Sequence, residues 1–142
     1  MFLGSFEHTM DAKGRLAIPA RFRNSLGSTA VLTRSPDHCL YLFPMDAWNK
    51  LAERLSQLSL ADRNARNMQH FFFGGASDVE LDAQGRIAVP TMLRQHAEVE
   101  GDTVVVGMNT YIEIWARQKW QNLEAQVSED IDNISAQLVG LF

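Results

Sequence analysis

A duplicated nine-residue segment constrains this chain more than any other feature. Asp11-Ala-Lys-Gly-Arg-Leu-Ala-Ile-Pro19 returns as Asp82-Ala-Gln-Gly-Arg-Ile-Ala-Val-Pro90. Asp, Ala, Gly, Arg, Ala and Pro recur at the same six places, and Leu16/Ile87 and Ile18/Val89 keep their apolar character. The register runs on, because Arg23 and Arg94 each stand four residues beyond the proline. So tight an internal repeat means that one supersecondary unit is built twice. Its first four residues have turn chemistry: Asp opens a type I turn, and Gly three places later supplies the left-handed conformation a bulged hairpin needs. Arg15 and Arg86 therefore leave their turns at a fixed angle, with Asp11, Gly14, Asp82 and Gly85 shaping the loops.

Alternation on both sides of the turn predicts hairpins. Phe6, His8 and Met10 lie on one side against Glu7, Thr9 and Asp11, and Val79 and Leu81 oppose Asp78, Glu80 and Asp82. Pro19 and Pro90 end strand pairing and suit the first turn of a helix, predicting short helices over Ala20 to Leu26 and Thr91 to Ala97. Two more strands and a longer helix follow in each half. The strands are Thr29–Thr33 with Cys39–Phe43, and Thr103–Val106 with Tyr111–Trp115. Apolar residues then step by three and four in Trp48, Leu51, Leu55, Leu58 and in Trp120, Leu123, Val127, Ile131, Ile134, Leu138. The two tryptophans fit packing anchors better than ligand stackers. A further helix over Ala61 to Phe72 and the Gly74-Gly75 break join the halves. The expected class is α+β and β-rich, with one repeat over residues 1–70 and the other over 71–142.

Charge is distributed unevenly. The net charge is −4, yet residues 1–70 carry +3 and residues 71–142 carry −7. No acid lies between Asp11 and Asp37, a stretch holding Lys13, Arg15, Arg21, Arg23 and Arg34; none lies between Asp82 and Glu98, which holds Arg86 and Arg94. Local fields, not totals, steer an anionic partner. An arginine on a stiff hairpin can bond guanine O6 and N7 with both arms, and a two-stranded ribbon fits the major groove. Arg15 and Arg86 are thus candidate base readers, Lys13 and Gln84 assistants, and Arg21 and Arg23 candidate phosphate contacts. The competing role for Arg15 and Arg86 is an ion pair with the turn aspartate four residues back. For Arg21 or Arg23 it is an intramolecular salt bridge.

Other chemistries find little footing. Four histidines are scattered, His38-Cys39 lacks a second ligand pair, and no nucleophile elbow or phosphate loop occurs, so neither a catalytic residue nor a metal or cofactor is expected. Asp78, Glu80 and Asp82 alternate as metal ligands could, but Ala83 and Val89 stand where a calcium loop needs Gly and Glu. A lone cysteine, no apolar run long enough for a bilayer and no signal-peptide pattern at the start predict a cytoplasmic chain with no membrane partner.

The paired Asp-Ala-x-Gly-Arg-x-Ala-x-Pro segments resemble the MraZ family of bacterial transcription regulators, built from two AbrB-like (SpoVT-AbrB) modules. The Met1-Phe-x-Gly start, Phe73-Gly-Gly-Ala-Ser77, Leu93-Arg-Gln-His-Ala97 and the two tryptophan helices match as well. The resemblance implies a swapped-hairpin β-barrel and a homo-oligomeric ring without small-molecule substrate. It implies binding of double-stranded DNA at direct G-rich promoter repeats of the division and cell-wall gene cluster, usually in repression, and hence association with the nucleoid. The family's Asp-x-x-x-Arg contact motif falls on Asp11 to Arg15 and Asp82 to Arg86. An AbrB-like antitoxin or protein-interaction module is the alternative. It calls for a partner-binding tail where this chain has a tryptophan-anchored helix.

Overall fold

The computed structural model describes Met1 to Leu141 as an α+β chain of eight strands and five helices. In order these are β1 (Phe2–Met10), β2 (Arg15–Ala17), α1 (Ala20–Leu26), β3 (Thr29–Arg34), β4 (Leu40–Pro44), α2 (Met45–Ser56) and α3 (Arg63–Gly74). The second half follows with β5 (Ser77–Glu80), β6 (Arg86–Ala88), α4 (Thr91–Ala97), β7 (Gly101–Asn109), β8 (Ile112–Ala116) and α5 (Arg117–Gln137). The α1 and α4 spans coincide with those expected from the prolines. Phe22 and Leu26 in α1, and Leu93 and Ala97 in α4, stand four apart and are buried, so each short helix presents one apolar edge.

Strand pairing interleaves the halves. β1 runs antiparallel to β7 from Phe2↔Asn109 to Met10↔Gly101, while its counterpart β5 pairs with β3 of the first half. β4 and β8 join at the middle, giving the sheet order β1-β7-β8-β4-β3-β5. β2 and β6 pair only with each other, in register Arg15↔Ala88, Leu16↔Ile87, Ala17↔Arg86. The closed barrel implied by the resemblance is not formed by these ladders: the six-stranded sheet ends at β1 and β5, and β2–β6 is a separate ribbon. Pro19 and Pro90, which lack an N–H, stop the ribbon two residues past its three-residue strands, too soon to extend either edge.

The ribbon nevertheless packs onto the sheet. Leu16, Ile18, Phe22, Ile87, Val89 and Leu93 enter one core with Leu32, Leu40, Leu42, Val105, Ile112 and Ile114. Phe22 meets Phe2 and Phe6 edge to face at 5.4 and 5.3 Å. Each fully buried aliphatic side chain contributes roughly 1.5–3 kcal/mol, so the inner face of the ribbon is fixed by residues from both halves. The opposite sheet face holds a smaller cluster of Val104, Val106 and Trp115 under Trp120 and Leu123. The apolar contacts of α5 are made there by Trp120 and Leu123, and its first turn adds ion pairs from Arg117 to Glu7 and Asp102 and from Lys119 to Glu98. Val127, Ile131 and Leu138, which periodicity assigns to the same stripe, are exposed at 40, 46 and 56%. The stripe is real, but most of it overhangs its own chain.

Candidate nucleic-acid interface

The two loops fold alike because one aspartate organises each. In the first, the Gly14 amide donates to the Asp11 carbonyl at 3.0 Å, closing the turn, and the Asp11 amide donates to the Arg15 carbonyl at 3.0 Å. Asp11 Oδ1 then accepts from the Lys13 and Arg15 amides at 3.0 and 2.9 Å, and Oδ2 from Arg15 Nε at 2.6 Å. The second loop repeats this. The Gln84 and Arg86 amides reach Asp82 Oδ1 at 2.8 and 2.9 Å, and Arg86 Nε reaches Oδ2 at 3.0 Å. The carboxylates respond accordingly. The Arg15 amide first, then its side chain and the Lys13 amide, hold Asp11 below the usual aspartate range. The Arg86 amide, the Gln84 amide and the Arg86 side chain do the same for Asp82. Gly14 and Gly85, at φ of 82° and 75°, take the left-handed step that L side chains avoid.

The ion pair weighed against base reading for Arg15 and Arg86 is therefore present. It aims the side chain without consuming it. The hydrogen bonds found among the described residues run through Nε and not through the Nη pair, and the side chains stay 40 and 29% exposed. Strand parity places them together. In β2 and β6 the central Leu16 and Ile87 are buried, so Arg15, Ala17, Arg86 and Ala88 occupy the outer face of the ribbon. Each arginine has an alanine of the other strand opposite it, which keeps that face low. Two residues of rise and one strand spacing set the arginine Cα atoms roughly 8 Å apart. Lys13 and Gln84 are exposed at the loop tips.

The remaining candidates separate. Arg21 is exposed on α1, its guanidinium 5.4 Å from the Phe6 ring centroid. Arg23 turns inward instead. Its Nε donates to the Ile18 carbonyl at 2.9 Å, and the guanidinium lies against Gly85 of the other half's loop. Its counterpart Arg94 lies against Gly14. Sequence reasoning paired these two arginines but could not see what they touch. It also missed Glu98 and Glu100, which line a cleft of about 640 Å³ with Asp11, Ala12 and Arg94. The stretch cleared of acids in sequence is thus bordered by two carboxylates in space. Their signal was the acid run beginning at Glu98.

Comparison with known proteins matches both halves to one model. The family described as "MraZ protein, putative antitoxin-like" matches residues 1–71 and again 72–142. The chain belongs to the MraZ family. It is 42% identical over 139 residues to the transcriptional regulator MraZ of Natranaerobius thermophilus, covering 98% of this chain and 97% of that protein. The protein of the same name from Halothermothrix orenii is 42% identical over 141 residues, 99% of each. That of Herpetosiphon aurantiacus is 50% identical over 123 residues, 87% of this chain and 86% of its own.

Proposed function

We propose that this protein is a non-enzymatic, sequence-specific DNA-binding transcriptional regulator that reads base edges with the outer face of the β2–β6 ribbon. One observation carries the reading: Arg15 and Arg86 stand diagonally on one face of the ribbon, each bonded to its own turn aspartate and each opposite an alanine, Ala88 or Ala17. Arginine end-on to guanine O6 and N7 is the commonest specific major-groove contact, and a two-stranded ribbon is a shape that groove admits. A spacing of roughly 8 Å spans about two to three base-pair steps of 3.4 Å, so guanines that far apart are the expected target. Lys13 and Gln84 assist at the tips and Arg21 supplies a phosphate contact. The names of the relatives support this class of function. Within it we place repression of the division and cell-wall gene cluster from direct G-rich promoter repeats, by a cytoplasmic, nucleoid-associated protein.

One ribbon offers few cationic contacts on a net-acidic body. Binding through so few phosphates is of order 10⁻⁴ to 10⁻⁶ M at physiological salt, and linking subunits can add about 10²–10⁴. Assembly into a ring across tandem repeats follows from that need. The overhanging stripe of α5, with Glu129, Asp130 and Asp132 on the same helix, supports it. So does an apolar-floored cleft of about 770 Å³ containing Tyr41, Phe43 and Tyr111 with Lys50 and Arg54. The cleft carries Lys50 and Arg54 beside one acid, Asp46, so it offers the acidic helix two cations. Joining the helix of one copy to the cleft of the next would be a head-to-tail contact, which gives a ring where the rotation closes.

The test is selection of bound DNA from random duplexes at fixed salt with the purified full chain. Enrichment of repeated guanine-containing sites is expected; recovery of an unselected pool would contradict sequence-specific binding. Lys13→Ala should weaken all duplexes alike and lower the salt slope by about one.

A further inference from the structure

The repeated arginine beyond each proline has no place in the base-reading surface, yet it occupies a built position. A Cβ added at Gly85 would overlap the Arg23 guanidinium, and one added at Gly14 would stand 2.8 Å from Arg94 Nε. Each guanidinium therefore lies in the space that only glycine leaves at the loop of the other half. The backbone is laced the same way: the Ile18 amide donates to the Gly85 carbonyl at 2.9 Å, and the Val89 amide to the Gly14 carbonyl at 2.8 Å. No carboxylate bonds either guanidinium among the described residues. Arg23 is anchored on the Ile18 carbonyl of its own half at 2.9 Å, and Arg94 on Thr91 Oγ1 at 2.9 Å. The anchors differ because Ala20 stands where the second half has Thr91, so the first half has no hydroxyl at that place. Arg94 Nε is consequently buried without a partner.

We infer that Arg23 and Arg94 are positioning residues acting across the repeat, each bracing the base-reading loop of the opposite half rather than contacting DNA. Arg94 braces Asp11–Arg15, and Arg23 braces Asp82–Arg86. This rests on the reading of those loops as the DNA surface. It gives glycine at positions 14 and 85 a second reason beyond the turn itself. It also couples the loops, since each half supplies both a reading arginine and the brace for its partner's. Arg23 accordingly moves from the candidate phosphate contacts to this role.

Hydrogen–deuterium exchange of the full-length protein tests the brace without DNA. Arg94→Ala should speed exchange in the peptide spanning 11–15 severalfold, because the loop loses the guanidinium packed against Gly14 and opens more readily, and leave 82–86 unchanged. Arg23→Ala should do the converse. Acceleration in the variant's own half, or in neither loop, overturns the inference. Should either alanine variant fail to fold, Arg→Lys keeps stem and charge but loses the planar fork, and the same crossed pattern is required of it. In parallel, DNA titration over a salt series should weaken binding with an unchanged slope. A slope reduced by about one with undisturbed loops would mark a direct phosphate contact and overturn the brace. If the wild-type protein binds no promoter fragment, the DNA reading fails while the exchange pattern still decides the brace.

Discussion

Asp11 and Asp82 each make one carboxylate serve two ends. Oδ1 gathers two loop amides, and Oδ2 holds the arginine that leaves the loop. Because their pKa values are depressed in the folded chain, the stabilisation they give is complete above the ordinary aspartate pKa. It is lost as pH falls through the depressed folded value. A carboxyl titration followed by NMR should place both midpoints below the usual aspartate range; ordinary midpoints would mean the amide bonds are not made. This much was legible in the sequence, since Asp followed three places later by Gly specifies a turn from local chemistry alone. What Arg23 and Arg94 touch was not. Their contacts join residues more than sixty positions apart, and no local pattern encodes that.

At the level of elements, periodicity placed the helices and strands and misjudged how much of one stripe is covered. A three-four spacing shows that a helix has an apolar face, not that its own chain packs on it. α5 satisfies Trp120 and Leu123 against Trp115 and leaves Val127 and Ile131 exposed, with Leu138 exposed just past its end. If the proposed ring is held through this stripe, Val127→Asp with Ile131→Asp should lower the mass in solution while changing the thermal stability of the subunit by less than about 0.5 kcal/mol per site, as exposed positions do. Size-exclusion chromatography with light scattering reads the first, and a melting curve at low concentration the second. An unchanged assembly would remove α5 from the interface. β1 and β7 also extend further than alternation predicted, to nine residues each, because they pair with one another along their whole length.

On the scale of the molecule, the two halves form one body. β1 takes its partner from the second half and β3 takes β5, so each half keeps only one strand pair of its own, β3–β4 or β7–β8. The turns predict β1–β2 and β5–β6 hairpins, but β1 pairs with β7, β5 with β3, and β2 with β6, because alternation identifies a strand and is silent on its partner. A fragment of residues 1–74 should stay unfolded as a monomer, or fold only by pairing with a second copy. Circular dichroism with sedimentation would reveal this, and a folded monomeric fragment would contradict the interleaving. The shared body also matters for function, because the β2–β6 ribbon exists only when both halves contribute a strand. In the proposed function this ribbon reads DNA through Arg15 and Arg86. Each bidentate arginine–guanine pair is worth about 1–3 kcal/mol. The most direct measurement is promoter-fragment affinity of the Arg15→Ala, Arg86→Ala double variant at fixed salt, with oligomer mass checked alongside. Specific binding lost at unchanged mass is predicted; specific binding retained at wild-type affinity would contradict the account.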